Sequence, residues 1–423
     1  MIYAFCQLFF LFNLEYPRGQ NFDEFHYVPS AKQWLALQTN QNWEHPPLGK
    51  LLMAVGIGLA GDNQIGWRIM STLFGSITCV GMYFLALVLF KTQEAALWAA
   101  GLTLVNQLLY VQSRIGMLDT FMMAFLIWAM VAFFSTWLPT QNRWKNATLL
   151  RCMGALFGLT IACKWFGLVA WGASVILVLG ISLIQKSPLQ SKLESNDSWY
   201  SKDLWRDVSW MELVLSFFMI PALFYFATYI PYLFLQDGQP HSPLDWFGMQ
   251  STMYDGQLRV ITNHPYNSNW KGWALMIRPI WYAFEPELGD PTQVRGVLLL
   301  GNPIIMWLGL VALVACLVDG LFNRRRQGFL IAYFWCAFYL CWSIIPRTIA
   351  FYYYYYPAGM MLTFALTHVF FSWQDKAPGV FRKVRNVFLV ACLGMFIYFF
   401  PILAGFKISS DSFRSWTWFT SWI

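Results

Sequence analysis

Long apolar stretches alternate with short polar segments along most of this chain. A helix that crosses a membrane needs about 20 mainly apolar residues. The pattern therefore predicts an all-α polytopic membrane protein with about eleven transmembrane helices. The predicted spans are 1–14, 67–90, 95–112, 118–138, 147–163, 166–184, 209–235, 298–318, 327–345, 351–372 and 386–404.

Two of the apolar runs are about twice as long as one span, and both contain charged residues near the middle. The run from 95 to 138 includes Arg114 and Asp119, and the run from 147 to 184 includes Lys164. A charge is costly at the bilayer centre but not in a turn at the membrane surface. Both runs are therefore predicted to fold into helical hairpins.

The whole chain, 1–423, is predicted to form one integral membrane domain. Its first part, 1–235, is a transmembrane module that includes an outer loop at 15–66. A second large outer loop covers 236–297, and further transmembrane helices cover 298–423. Both outer loops are expected to carry short amphipathic helices.

The composition excludes a soluble domain, because 58% of the residues are hydrophobic, only 12% are charged and the mean hydropathy is +0.46. The net charge of +7 does not indicate nucleic-acid binding, since the basic residues are spread over short loops between apolar runs. None of the eight cysteines forms a CxxC pair, so neither a zinc site nor a disulfide framework is indicated.

Basic residues predict the orientation of the chain in the membrane. Five short loops hold more than half of the 28 Lys and Arg, and the positive-inside rule places such loops in the cytoplasm. They contain Lys91, Arg143, Lys145, Arg151, Lys186, Lys192, Lys202, Arg206, Arg324, Arg325, Arg326, Lys376, Arg382, Lys383 and Arg385.

The charges that this rule does not explain all fall on the opposite, outer face. They are Asp23, Glu24, Arg114, Asp119, Lys164, Arg278 and Arg347. A transporter would be expected to place such residues near the midplane, between repeated halves. Their position instead suggests chemistry on a ligand whose headgroup lies at the outer membrane face.

The first outer loop carries the adjacent carboxylates Asp23 and Glu24, followed by His45 in a His-Pro-Pro sequence. One carboxylate could act as a general base and His45 could contact a phosphate. Alternatively, the acidic pair caps a helix and His-Pro-Pro is only a rigid turn. Because neighbouring side chains point in different directions, one carboxylate should face the substrate while the other supports the loop.

The two predicted hairpin turns and the predicted turn at 346–350 place further charges at the same face. The planar fork of Arg114 or Arg347 matches phosphate oxygens, and Lys164 could serve the same purpose. Alternatively, Arg114 and Asp119 pair across their turn, or Asp119, Lys164 and Arg347 form a structural ion network.

The second outer loop interleaves aromatic rings with amides and includes His264, Tyr266, Trp270 and Arg278. Sugar rings and extended peptides bind against such surfaces, but an aromatic belt at the membrane interface has the same composition. The tyrosine run 352–356 is open to the same two interpretations.

Together these stretches resemble the dolichyl-phosphate-mannose protein O-mannosyltransferases, glycosyltransferase family 39 of the GT-C membrane architecture. The resemblance covers residues 16 to 357, with the matching pieces in family order. They are Phe22-Asp23-Glu24, His45 to Leu52, Ser113-Arg114 with Leu118-Asp119, Cys163-Lys164-Trp165, His264-Pro265-Tyr266, Leu275 to Tyr282, Gly301-Asn302-Pro303, and Pro346-Arg347.

The resemblance implies transfer of mannose, or a related hexose, from a polyprenyl-phosphate carrier to Ser or Thr hydroxyls, with inversion at the sugar carbon. It implies that Asp23 is the base with Glu24 beside it, and that Arg114 holds the phosphate. Lys164, His45 and Arg347 are further candidates for phosphate contacts. Candidates for donor or acceptor contacts are Asp119, His264, Tyr266, Trp270, Arg278, Asn302 and Tyr353.

The chain departs from the eukaryotic members in two ways. The segment 236–297 is too short for their β-trefoil insert, and tyrosine replaces the histidine expected in the final tyrosine-rich stretch. The chain therefore resembles the bacterial branch, which implies a multi-pass protein of the bacterial plasma membrane with an extracytoplasmic active site.

Other functions stay open at this stage: a GT-C transferase with a lipid or glycan acceptor, or a lipid or solute transporter. The expected partners are a polyprenyl-phosphate-linked sugar donor, an acceptor polypeptide and the lipid bilayer, with a homo- or heterodimer as a possibility. No metal site is predicted. A divalent cation at Asp23, Glu24 and His45 is conceivable, but an arginine-held phosphate does not require one.

Overall fold

The computed structural model of the protein describes residues 1–39, 42–138, 143–188, 204–205, 208–259, 264–374 and 377–423. Several basic residues used for the orientation lie outside this part of the chain: Lys192, Lys202, Arg206 and Lys376, together with the side chain of Arg143.

The first outer loop folds into two helices between the first two long apolar segments. Helix α1 (Ile2–Leu11) is followed by α2 (Glu24–Leu35), α3 (Leu48–Ala60) and the long α4 (Gln64–Phe90). Asn63 caps α4 by accepting hydrogen bonds from two backbone N–H groups of its first turn.

The structure confirms the breaks predicted within both double-length apolar runs. The first run forms α5 (Gln93–Leu104), the short α6 (Gln107–Gln112) and α7 (Leu118–Ser135). The second run forms α8 (Arg143–Cys163) and α9 (Gly167–Gln185), which leaves Lys164 in the turn between them.

The remaining helices lie on either side of the second outer loop. Helix α10 (Trp210–Val214) continues through a π-helical turn, Leu215–Met219, into α11 (Ile220–Ala227). Helix α12 (Asp245–Arg259) lies within the loop. After the loop come α13 (Pro303–Leu321), α14 (Arg326–Leu340), α15 (Tyr356–Ser372) and α16 (Pro378–Ala404).

A small β-sheet corrects the prediction of an all-α chain. Strands β1 (Ile280–Glu287) and β2 (Asp290–Leu299) form an antiparallel hairpin, and β3 (Ile408–Ser409) pairs with β2. The predicted span at 298–318 wrongly included the end of β2, where Leu298 pairs with Trp281. A short apolar run does not distinguish a strand from a buried helix by its periodicity.

Seven helical segments in the described part of the chain are long and apolar enough to cross a membrane. They are Gln64–Phe90, Leu118–Ser135, Lys145–Cys163, Gly167–Gln185, Trp210–Phe234, Pro303–Leu321 and Pro378–Ala404. The other predicted spans coincide with shorter or interrupted helices, so the count of eleven stays a prediction. The chain is an integral, multi-pass membrane protein.

Several helix ends that carry polar residues lie at the same end of the bundle. Arg114, after α6, donates to carbonyl groups at the ends of α1 and α16, while Lys164, after α8, pairs with Asp119 at the start of α7. The helices thus bring polar residues far apart in sequence to one place beneath the outer loops.

Candidate active site

The adjacent carboxylates Asp23 and Glu24 point into different environments. Asp23 is the N-cap residue of α2 and is half-buried, whereas Glu24 begins the helix and is fully buried. Phe22, just before them, adopts φ = 54°, in the left-handed region that is uncommon for aromatic residues. The turn therefore separates the two acidic groups as the sequence predicts.

Glu24 is surrounded by hydrogen-bond donors. Its two carboxylate oxygens accept hydrogen bonds from Arg68 Nε and Nη2, each at 2.8 Å, and both side chains are fully buried. Oε1 also accepts from Gly116 N at 2.7 Å and Oε2 from Asn21 N at 3.0 Å. These four hydrogen bonds use the carboxylate to join the first loop to α4 and to the turn before α7.

Asp23 faces a cavity of about 320 Å³. Its Oδ2 atom accepts hydrogen bonds from Tyr27 at 3.2 Å and Tyr353 at 3.1 Å. Burial, and then the negative charges of Asp23 and Asp119, hold the pKa of Tyr27 well above its ordinary value, so Tyr27 stays a donor. Both tyrosines donate to the same oxygen of Asp23.

Lys164 and Asp119 form a buried ion pair beside this cavity. Lys164 Nζ lies 2.8 Å from Asp119 Oδ2 and 3.0 Å from Oδ1. The same ammonium lies 4.7 Å from the ring centroid of Tyr353 and 5.0 Å from that of Tyr354. Tyr353 therefore touches both the ammonium of Lys164 and the carboxylate of Asp23.

A second cavity of about 170 Å³ adjoins the first one. His45, Gln257, Arg347 and Tyr354 line both, while Lys164 lines the second. Gln257 of α12 accepts a hydrogen bond from Arg347 and donates to the backbone carbonyl of Glu44. The second outer loop thereby closes over the first, and three candidate phosphate ligands meet at one wall.

Electrostatics at this wall favour an anionic ligand. Burial, followed by the positive charges of Lys164, Arg347 and Lys50, holds the pKa of His45 well below its ordinary value. His45 is therefore neutral at pH 7 and offers one N–H donor. Arg347 supplies a positive charge that a phosphodiester would compensate, while the charge of Lys164 is shared with Asp119.

Arg114 donates its hydrogen bonds to backbone carbonyl groups. Its guanidinium donates to the carbonyl groups of Phe12 and Asn13, both at 2.7 Å, and at longer range to Phe10 and Leu403. With four of its five N–H groups so used, this buried side chain joins the end of α1 to that of α16. Contact between Arg114 and the donor phosphate stays a prediction.

Asn302 and Arg278 likewise donate to backbone carbonyl groups. Asn302 is fully buried, caps α13 and donates to the carbonyl groups of Val105 and Cys392. Arg278 donates to the carbonyl groups of Pro265, Ser421 and Ile423 and lies 5.7 Å from the ring of Tyr266. Asn302, Arg278 and Tyr266 are not among the residues that line the cavities described above.

Other predicted residues do line cavities. His264 lines the cavity of Asp23, and its ring contacts Phe22 and Phe351 edge-on. Burial lowers the pKa of His264, although the charge of Asp23 opposes this. Trp270 lines a third cavity, of about 220 Å³, which also includes Arg347.

Several site residues were not singled out from the sequence. Arg68 could have been recognised as a lone charge at the outer end of a predicted span. Glu44 lies beside His45 in the sequence. Tyr27 lies four residues after Asp23, a spacing that brings side chains together on a helix and could have identified Tyr27. Gln257 carries no such signal, because its contacts to Arg347 and His45 bridge distant parts of the chain.

Within the described residues, no cluster of three or more His, Cys, Asp or Glu side chains could hold a metal ion. The acidic and imidazole groups of the site are distributed along the cavity wall.

Two models of known protein families match this chain. Residues 44–194 match the dolichyl-phosphate-mannose-protein mannosyltransferases. Residues 244–422 match the C-terminal four-transmembrane region of protein O-mannosyltransferases. The family resemblance found in the sequence motifs is confirmed by these matches.

Relatives of similar length carry consistent names. The polyprenol-phosphate-mannose–protein mannosyltransferase of Corynebacterium glutamicum is 25% identical, over 95% of this chain and 88% of its own. The protein of that name from Mycobacterium tuberculosis is 24% identical, over 95% and 86%.

Solved structures share the fold. The S. cerevisiae protein O-mannosyltransferase Pmt1-Pmt2 complex bound to the sugar donor matches with a TM-score of 0.84 at 13% identity, over 100% of this chain and 92% of that one. ArnT from Cupriavidus metallidurans bound to undecaprenyl phosphate matches with a TM-score of 0.62 at 13% identity, over 95% and 76%. The GT-C architecture expected from the sequence is thereby confirmed.

Proposed function

The chain belongs to the dolichyl-phosphate-mannose-protein mannosyltransferase family, and we propose that it transfers mannose from a polyprenyl-phosphate carrier to Ser or Thr hydroxyls of polypeptides. The observation that carries this proposal is the shared wall of two cavities. Asp23 faces one cavity, Lys164 lines the other, and Arg347 and His45 line both.

The arrangement supports a single displacement with inversion. The acceptor oxygen attacks the anomeric carbon, its proton passes to Asp23, and the bond from that carbon to the phosphate oxygen breaks. Double displacement uses two carboxyl groups about 5–5.5 Å apart, one of them as a nucleophile. Glu24 does not supply that second group, because Arg68 and two backbone N–H groups occupy it.

The leaving group needs stabilisation rather than protonation, because a polyprenyl phosphate departs as a stable anion. Arg347 and Lys164 lie where they can compensate its developing charge, and neutral His45 can donate one hydrogen bond. Such donors, fixed before the reaction, lower the barrier without reorganising during it.

The active site is proposed to lie on the extracytoplasmic side. The positive-inside rule supports this orientation, since the basic residues lie at the ends of the helices that are opposite to the cavities. The carrier's phosphate would then lie at the outer membrane surface, with its hydrocarbon tail in the bilayer.

Replacement of Asp23 tests the proposed chemistry. Asp23→Asn keeps the size of the side chain and its contacts but removes the base, so transfer should fall by about 10²–10⁴-fold. Donor binding should be preserved. The measurement is transfer of radiolabelled mannose from the polyprenyl-phosphate donor to a threonine peptide by the purified protein.

Asp411→Asn is the matched control, because Asp411 is exposed and lies outside the cavities. Near-normal turnover of Asp23→Asn would show that another group is the base. If the unaltered protein transfers mannose to a lipid or glycan but to no peptide, the acceptor assignment is wrong.

A further inference from the structure

A third cavity lies next to the catalytic one, on another side of Arg347. Its volume is about 220 Å³, and it opens between the segment 267–273 of the second outer loop and the segment 342–350 that follows α14. Arg347 lines this cavity as well as the cavity of Asp23. A molecule that occupies both would pass directly beside the reaction centre.

The walls of this cavity are held by specific contacts. Ser268 N donates to Ala350 O at 2.8 Å, and Ala350 N donates to Asn267 Oδ1 at 3.0 Å, so the two segments are joined. Trp273 is buried and donates to Ser268 Oγ at 2.9 Å. The cavity is therefore a preformed feature of the fold rather than a gap between loosely packed loops.

The lining is suited to a neutral, amide-rich ligand. The side-chain oxygens of Asn267 and Asn269 accept hydrogen bonds from the backbone, so these two residues offer their amide N–H groups, and Thr348 offers its hydroxyl group. Three indole rings provide flat apolar surface. No carboxylate lines the cavity, and its one cation, Arg347, also lines the cavity of Asp23. Side-chain amides and hydroxyls pair with peptide N–H and C=O groups, while indoles accept apolar side chains.

We propose that this cavity binds residues of the acceptor polypeptide that flank the Ser or Thr to be modified. The inference rests on the proposed function, because it assumes that the acceptor hydroxyl reaches Asp23. An extended chain advances about 3.3–3.6 Å per residue. Because Arg347 lines both cavities, residues that flank the acceptor hydroxyl can run from the cavity of Asp23 past Arg347 into the third cavity.

The test compares acceptor peptides of two lengths. The short one is a capped alanine-threonine-alanine tripeptide, and the long one adds three alanine residues on each side. For the unaltered protein, the KM of the long peptide should be about tenfold lower, which corresponds to one or two additional net hydrogen bonds. In Thr348→Trp the new ring fills the cavity, and the ratio of the two KM values should fall to about one.

Ile344→Trp serves as the control, because Ile344 is 82% exposed, lies in the same segment and does not line the cavity. It should keep the tenfold ratio. A ratio of one in the unaltered protein, or an undiminished ratio in Thr348→Trp, would overturn the site while leaving the proposed function intact. If the unaltered protein mannosylates neither peptide, the proposed function fails and this inference with it.

Discussion

Asp23 and Glu24 show how neighbouring residues of the same chemical type acquire different roles. Asp23 receives two tyrosine hydroxyl groups on one oxygen and keeps the other toward a cavity. Glu24 is surrounded by donors and fully buried. A carboxylate that accepts four hydrogen bonds is held in place, whereas a half-exposed one can accept a substrate proton.

Arg347 is the residue whose loss should most directly weaken donor binding. A hydrogen bond to a charged group contributes about 1.5–3 kcal/mol, so Arg347→Ala should raise the KM for the polyprenyl-phosphate donor by roughly 10–100-fold. Arg347→Lys should recover only part of this loss, because lysine lacks the planar fork. Steady-state kinetics at varied donor concentration provide the measurement.

Arg382→Ala is the control for this substitution, since Arg382 is exposed on α16 and distant from the cavities. A donor KM for Arg347→Ala within twofold of the unaltered protein would remove Arg347 from the phosphate site. Lys164 would then be the principal cation there.

Among the elements, the turn between α3 and α4 leaves little room for side chains. Gly61 has φ = 86°, and a Cβ atom added at Gly66 would lie 1.9 Å from the carbonyl oxygen of Gly61. The close approach fixes the position of the start of α4. The same helix carries Arg68, which forms the ion pair with Glu24. The packing of this turn therefore supports the loop that presents Asp23.

Gly66→Ala should destabilise the protein, because the clash is with backbone and cannot be relieved by a side-chain rotation. Overpacking costs about 1–3 kcal/mol, which exceeds the roughly 1 kcal/mol gained from replacing glycine in a helix. A lower thermal unfolding temperature in detergent is the expected result.

Gly172→Ala, in the middle of α9, is the comparison, because a Cβ there meets no atom within 4 Å. Its unfolding temperature should be unchanged or slightly higher. An unchanged unfolding temperature for Gly66→Ala would show that α3 and α4 can shift apart enough to accommodate the added methyl group.

At the scale of the whole molecule, the helices sort polar groups to opposite ends of the bundle. Arg385 and Glu94 pair near the starts of α16 and α5, at the end opposite to the cavities. The sorting follows from the cost of placing charges inside a bilayer.

Labelling of introduced cysteines tests the proposed orientation. With the exposed Cys152 replaced by alanine, Asp411→Cys should react with a membrane-impermeant maleimide in intact cells. Arg382→Cys should react only after the membrane is permeabilised, because the two positions lie at opposite ends of α16 and its continuation. Reaction of both, or of Arg382→Cys alone, in intact cells would contradict the orientation.

The sequence by itself determined the membrane class, the breaks at Arg114 and Lys164, and the family. These follow from local properties: the length of apolar runs, the cost of a charge in a bilayer, and short ordered motifs. It also indicated that Asp23 and Glu24 would point apart. The β-hairpin at 280–299 was missed. Its end at Leu298, which pairs with Trp281, lies in a short apolar run, and the periodicity of such a run does not separate a strand from a helix.

Only the tertiary structure showed which partners the candidate side chains have. Arg114, Arg278 and Asn302 donate hydrogen bonds to backbone carbonyl groups of other segments. Gln257 became part of the site only because α12 folds over the first loop. A hydrogen-bonding side chain takes whichever partners the packed helices bring to it, and spacing along the chain does not specify those partners.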